Sequence, residues 1–210
     1  MAKLKAPLLS LGASGAIAKT LVFFPWKGIN AVREYVVPSN PKTALQVTQR
    51  GYVTAAVAAI HTAQAEAVTP LTSVDQIAYS ALAQAKGKIM TWFNQAVKLW
   101  VDVKVDGEKP IIYSSGYVDG KTPAAISMSV YINEETGSSL SDGKFYFGTS
   151  KTNLIHSAAA TIEAGSRARL IAEDLSAFLT AGVKYYWQFR PDAGDDCEGA
   201  DSGIYNFVAE

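Results

Sequence analysis

The sequence predicts two modules of different class: an α+β segment over residues 1–104 and an all-β antiparallel sandwich over residues 105–210. Three observations carry that expectation. Dense β-branched and aromatic residues between Ala16 and Val37 are interrupted by Pro25-Trp26-Lys27-Gly28, the pattern of a hairpin. Apolar residues then recur at helical spacing as far as Trp100, as amphipathic helices require. From Val101 the period changes to two, and short apolar runs between turn residues continue to the C-terminus, as in a sandwich.

The N-terminal elements follow in order. Lys3 to Leu11 is a short mixed arm whose order depends on a neighbour, and Gly12, Ser14 and Gly15 punctuate before the first strand. That strand, Ala16 to Phe24, is apolar on both faces, with Ile17, Leu21 and Phe23 on one side and Val22 and Phe24 on the other. It therefore wants cover on both sides. Ile29 to Val37 forms its partner, and the loop between them carries Trp26, whose indole beside Lys27 would anchor an interface if exposed. Val37-Pro38-Ser39-Asn40-Pro41 cannot continue a ladder, because proline lacks the N–H. Asn40 and Pro41 instead offer an N-cap oxygen and a first helical residue. A helix from Pro41 to Ala65 is expected, buried along Leu45, Tyr52, Val53, Ala56, Val57 and Ile60. A second, Val74 to Ala85, starts from a capping box of Ser73 with Gln76, buries Val74, Ile77, Ala78, Ala81 and Ala85, and stops near Gly87. A third, Lys88 to Trp100, buries Ile89, Phe93, Val97 and Trp100, and Trp92 is expected to pack beneath the hairpin.

The boundary is expected in the glycine- and proline-rich stretch Asp106 to Pro123, next to the turn signal Asp106-Gly107. Beyond it the strands are Ala125–Ile132, Lys144–Gly148, Ser157–Ile162, Arg167–Ile171, Lys184–Phe189 and Gly203–Val208. The stretch Asp174-Leu-Ser-Ala-Phe-Leu-Thr-Ala-Gly-Val-Lys-Tyr-Tyr-Trp-Gln-Phe and the ending Asp201-Ser-Gly-Ile-Tyr-Asn-Phe resemble the long central strand and last strand of a fibronectin type III-like (Ig-like) domain. The resemblance covers about the last 90 residues of the 210, and implies that Tyr185 or Tyr186, with Trp187 and Phe207, are core residues.

Composition narrows the function classes. With 49% hydrophobic and 18% charged residues, the chain can bury a substantial core. No apolar run approaches the about 20 residues of a membrane span, and no signal-type leader is expected, so a soluble, non-secreted product is anticipated. The single cysteine, Cys197, excludes an intrachain disulfide framework. Residues 1–110 hold 12 basic against 6 acidic residues, and residues 111–210 hold 7 against 13. Either separate partners or basic-to-acidic contact between copies would suit that asymmetry.

Catalytic equipment is sparse, and the expectation is a non-enzyme without a cofactor. A nucleophile needs an oriented base, yet His61 sits among helical alanines and His156 in a loop-like stretch. Cys197 follows two acids, which oppose thiolate formation. Asp192, Asp195 and Asp196 are weak metal candidates only, since the cluster lacks the EF-hand spacing. Gly12 and Gly15 do not make a phosphate cradle. The basic row Lys19, Lys27, Arg33, Lys42 and Arg50 fits an acidic protein neighbour better than nucleic acid, because no recognition motif accompanies it.

One further stretch is distinctive: Gly12-Ala-Ser-Gly15, Leu21-Val-Phe23, Lys27-Gly28, Arg33, and Pro38-Ser-Asn40-Pro41-Lys-Thr43-Ala-Leu-Gln46-Val-Thr-Gln-Arg50. With Leu71-Thr72 and Phe93-Asn94, it resembles an N-terminal module of structural proteins from tailed-bacteriophage virions. That resemblance implies a non-enzymatic virion component (capsid decoration, neck or tail), made in the bacterial cytoplasm. It would dock through this module onto other virion proteins and copies of itself as a homo-oligomer. Neither membrane nor nucleic acid is expected as a partner. The residues expected at the assembly interface are Phe23, Phe24, Trp26, Arg33, Asn40, Gln46 and Arg50. The alternative is a module binding carbohydrate or a cell surface, for which the loops near Tyr117, Tyr131 and Trp187 would need exposed aromatics.

Overall fold

A computed structural model describes residues 2–3, 14–40, 42–134, 140–163 and 167–210. Among these residues the chain is α+β, mostly β, with three helices and three antiparallel sheets. It divides into two compact units, Met1–Ala44 and Leu45–Glu210. Gly12, Pro41 and most of the expected N-terminal arm lie outside the described residues.

The first unit is a small sheet of β1 (Ala2–Lys3), β2 (Gly15–Ile17), β3 (Leu21–Trp26) and β4 (Ile29–Glu34), in the order β1-β4-β3-β2. The expected strand Ala16–Phe24 is two strands, because the chain doubles back at Ala18 and Lys19, whose φ angles are 46° and 55°. The Thr20 N–H and hydroxyl both donate to the Ile17 carbonyl, at 2.8 and 2.9 Å, a local bond that competes with strand continuation. The main hairpin turn is also tighter than expected. Only Lys27 and Gly28 form it, both with positive φ (48° and 75°), which suits the twist of a two-residue hairpin loop. Pro25 and Trp26 stay in the ladder opposite Asn30 and Ile29. Pro25 is tolerated there because it lies past the end of β2, where no described strand needs the N–H it lacks. Of this unit's described apolar side chains, only Phe23 and Ala31 are buried.

The second unit opens with α1 (Ala44–Ala65), α2 (Ser73–Ala85) and α3 (Trp92–Asp106). The first helix does not start at the Asn40–Pro41 corner, since Lys42 has a left-handed φ of 46° that a right-handed helix cannot include. Residues 44–51 are all exposed, Leu45 at 83%, and burial begins with Ala56, Ile60 and Ala63. The second helix is capped one residue earlier than expected. Thr72 donates its N–H and hydroxyl to Asp75 Oδ2 at 2.7 and 3.0 Å, so the Ser73–Gln76 box does not form the cap. The buried stripe is displaced by one position, about 100° of rotation, to Asp75, Ala78, Tyr79 and Leu82. Val74 and Ile77 consequently face solvent.

The third helix begins later and ends later than expected. Thr91 Oγ1 accepts from the Asn94 N–H at 3.3 Å, and Ile89, ahead of the cap, is exposed. Val101, Val103 and Val105 lie in this helix instead of a strand, because Val103 continues the helical stripe of Ala96, Leu99 and Trp100. Trp92 packs at the margin of the helical core, edge-on to Phe93 at 5.5 Å. No described helix is long and apolar enough to cross a membrane.

The remaining strands are β5 (Ile111–Asp119), β6 (Ile126–Glu134), β7 (Gly143–Gly148), β8 (His156–Ala159), β9 (Thr161–Glu163), β10 (Arg167–Glu173), β11 (Lys184–Pro191) and β12 (Tyr205–Val208). They form two four-stranded sheets, β5-β6-β10-β9 and β12-β11-β7-β8. The expected strand Ser157–Ile162 is shared between the two sheets as β8 and β9. β5 occupies the stretch expected to be a linker, with its register broken between Ser114 and Tyr117 by a bulge that hides it from a period-two reading.

Both sheets feed one core of Tyr113, Met128, Val130, Phe145, Phe147, Trp187, Phe189 and Phe207. A second core joins the helices to strand residues: Ala56, Ile60, Tyr79, Leu82, Leu99 and Trp100 with Ile112 and Ile204. Ile112 and Tyr113 are successive residues pointing to opposite faces, so β5 is common to both cores. The Ile204 N–H donates to the Ala78 carbonyl at 3.0 Å. A Cβ on Gly203 would lie 2.7 Å from Ala78 Cβ and 2.9 Å from the Tyr79 backbone nitrogen. The expected boundary near residue 104 therefore gives way to a division after Ala44.

Tyr113 Oη is buried with no hydrogen-bond partner among the described residues, and burial, with smaller effects from the groups around it, pushes the phenol pKa up. Tyr113→Phe keeps the ring and removes the unpaired hydroxyl. It should raise stability by up to about 1 kcal/mol in urea unfolding, and a loss of that size would contradict the assignment.

Candidate functional site

The interface residues expected from sequence divide between the two units. In the first, Phe23 is buried opposite Val32 and serves the sheet itself. Phe24 is half-buried, and the Arg33 guanidinium lies 5.5 Å from its ring centroid. They sit on adjacent strands two positions off the direct pairing Phe24–Ala31, within diagonal reach on one face. Trp26 is 55% exposed beside the Lys27–Gly28 turn. Asn40 is exposed and lies ahead of the first residue of α1, Ala44. In the second unit, Gln46 and Arg50 lie four residues apart on the exposed beginning of α1.

The weak metal candidates are held by other partners. Asp195 Oδ2 accepts from the Ser141 N–H and hydroxyl, both at 2.8 Å, and from the Asp142 N–H at 3.2 Å, while Oδ1 accepts from Cys197 N–H at 2.8 Å. Asp196 pairs with Lys109 at 2.7 Å and Asp192 with Lys144 at 3.2 Å. Among the described residues no three His, Cys, Asp or Glu side chains are grouped as a cation would require.

Burial works to raise the Asp195 carboxyl pKa, but the bonds from Ser141, Cys197 and Asp142 outweigh it and hold it below the ordinary carboxylate value. Because the folded pKa is depressed, the stabilisation is complete above the unfolded value and is lost as pH falls through the folded one. Asp195→Asn should lack this component of acid destabilisation, measured as thermal unfolding against pH. An unchanged pH profile would contradict it.

The other reactive side chains also have structural contacts. His61 Nδ1 lies 3.1 Å from Gln64 Oε1. The His156 ring packs 4.7 Å from Phe178 and 5.5 Å from Phe147. Cys197 is fully buried. Of the aromatics proposed for glycan contact, Trp187 is not in a loop. It lies within β11, fully buried and stacked on Tyr205 at 4.6 Å. Tyr131 is half-buried under Arg167, and Tyr117 is exposed.

A constellation not anticipated from sequence lies where α2 meets the sheets. Asp75 is fully buried, and besides the Thr72 bonds its Oδ1 accepts from the Gly116 N–H at 3.2 Å and from the Tyr205 hydroxyl at 2.8 Å. The Tyr113 N–H donates to Tyr79 Oη at 3.0 Å, and Ser114 Oγ donates to the Thr69 carbonyl at 2.7 Å. Beside this network is a cleft of about 330 Å³ between α2, β5 and β12. Val74, Ile77 and Tyr117 line it, with Trp187 and Phe207 beneath. The sequence signal for the network was the spacing Thr72-x-x-Asp75, which competes with Ser73-x-x-Gln76 in the next frame.

Compared with family models, curated proteins and solved structures, the chain matches none.

Proposed function

We propose that this chain is a non-enzymatic structural component of a tailed-bacteriophage virion, docked through its N-terminal sheet and displaying its C-terminal β-sandwich. The observation carrying this reading is the imbalance of the first unit. Its sheet buries only Phe23 and Ala31 among described apolar residues, while Ile17, Leu21, Trp26 and Ile29 are exposed. Small sheets need a covered apolar face for stability, and the exposed cross-strand pairs Ile17–Leu21 and Trp26–Ile29 offer apolar surface to a partner. The first unit also holds six basic residues against one acidic, which favours an acidic neighbour.

The two larger sheets are read as a fibronectin type III-like (Ig-like) sandwich. With β5 to β12 taken as strands A, B, C, C′, D, E, F and G, their order is ABED against GFCC′, the arrangement of that architecture. Tyr185, second residue of β11, supports it: its hydroxyl accepts from the Thr180 N–H at 3.0 Å and lies 3.4 Å from the Phe178 carbonyl. This is the tyrosine corner of such sandwiches.

The test is particle incorporation of a Trp26→Ala, Arg33→Ala double variant. Incorporation should be abolished while the far-ultraviolet dichroism and the melting of the C-terminal unit stay unchanged. Normal incorporation of the folded variant would overturn the proposal.

A further inference from the structure

The geometry points to the cleft between α2, β5 and β12 as the receptor for the hairpin tip of a second copy of this chain, with Trp26 as the inserted side chain. This inference rests on the assembly reading above and assigns it a surface and a partner.

The receptor side is a cleft of the second unit lined largely by apolar side chains. Val74 and Ile77 are 57% and 64% exposed, although α2 has a complete buried stripe elsewhere. They flank the cleft together with Tyr117. β5 pairs only with β6 and β12 only with β11 among the described strands, so two sheet edges border the same opening. On the β5 edge the Tyr113 and Gly116 N–H groups are already taken by Tyr79 and Asp75 of α2, so the opening receives a side chain and not a strand.

The inserting side is a preorganised tip. A two-residue turn fixes the register Trp26–Ile29, holding the indole without a flexible loop and so limiting the ordering cost of binding. An exposed tryptophan next to a cation is a favourable interface anchor. Lys27 follows it; next to the cleft, Asp119 adjoins the lining residue Val118 and is exposed, and the cleft's own cation, Lys121, is paired with Glu210 at 3.2 Å.

Charge selects a second copy as the occupant. Met1–Ala44 has six basic and one acidic residue, and Leu45–Glu210 has 13 basic and 18 acidic. The units therefore carry +5 and −5, and head-to-tail contact pairs them while the chain as a whole remains neutral. Such a contact joins two different patches, so it propagates as a ring or a filament.

The experiment uses the full-length chain carrying photoreactive benzoylphenylalanine at position 26. Irradiation should give covalent species of two or more chains whose cross-linked peptide contains residues 74–77 or 117–121. Trp26→Ala and Ile77→Asp should each weaken self-association at least about tenfold in sedimentation analysis. Ile77 is exposed, so thermal unfolding of that variant should match wild type; should it unfold, Val74→Asp takes its place. A monomeric wild type, cross-links confined within one chain or mapping outside the cleft, or unchanged association of the Ile77→Asp protein would each overturn the inference. Failure here can be told from failure of the docking proposal. Loss of the Trp26→Ala, Arg33→Ala variant from particles with cross-links elsewhere removes only the cleft assignment. Normal incorporation of that variant with cross-links in the cleft removes only the docking reading.

Discussion

A fragment of residues 105–210 should show no cooperative unfolding transition, whereas residues 45–210 should unfold in a single one. Cutting near residue 104 removes all three helices from strands that share cores with them. Ile112 and Ile204, both buried, pass into water at a cost of about 1.5–3 kcal/mol each. The bonds from Tyr113 N–H to Tyr79, Ile204 N–H to Ala78, and Gly116 N–H and Tyr205 hydroxyl to Asp75 are lost as well. Water replaces them at a net loss of about 0.5–1.5 kcal/mol per bond. Together these losses are comparable to the whole margin of a typical domain, about 5–15 kcal/mol. Urea titrations followed by tryptophan fluorescence and amide chemical-shift dispersion check the result. A shorter fragment as cooperative as the longer one would show that the helices are dispensable.

Asp75→Ala should destabilise the full chain by about 3 kcal/mol or more, the range expected when a buried, hydrogen-bonded charge is lost. All four of its partners are donors: the Thr72 N–H and hydroxyl, the Gly116 N–H and the Tyr205 hydroxyl. Asp75→Asn should therefore not rescue it, because the amide nitrogen would turn its own hydrogens toward donors. The carboxylate also sits in the first turn of α2, where the helix dipole favours negative charge. Tyr205→Phe removes one of the four bonds and should cost less, about 1–2 kcal/mol. Chemical denaturation of the three variants gives the ranking, and an Asp75→Asn protein as stable as wild type would refute this account of the network.

Much of the fold was legible because it depends on local preference. The strands from Ile126 onward, the division of Ser157–Ile162 into β8 and β9 excepted, followed from alternating β-branched and aromatic residues between turn residues, and the hairpin from an apolar run broken at Pro25-Trp26-Lys27-Gly28. The N-terminal helix face was legible at Ala56 and Ile60, where the 3.6-residue period coincides with real cover. It misled at Leu45 and Val53, which have the period without the cover. Periodicity records which residues share a face, and burial depends on what meets that face.

The helix frame, the true extent of α3 and the division after Ala44 were not legible, and the reason is the same in each case. Thr72 with Asp75 and Ser73 with Gln76 are rival caps one residue apart, nearly equal as local motifs. Gly116 and Tyr205, distant in sequence, decide between them by donating to Asp75. Val101, Val103 and Val105 satisfy a strand's alternation, yet the buried stripe through Leu99 and Trp100 keeps them helical. Local sequence alone determined the kinds of element and most of their places. Only tertiary structure decided the rotation of α2, the sharing of β5 between two cores and the cleft this leaves open, because those features rest on contacts between residues far apart in the chain.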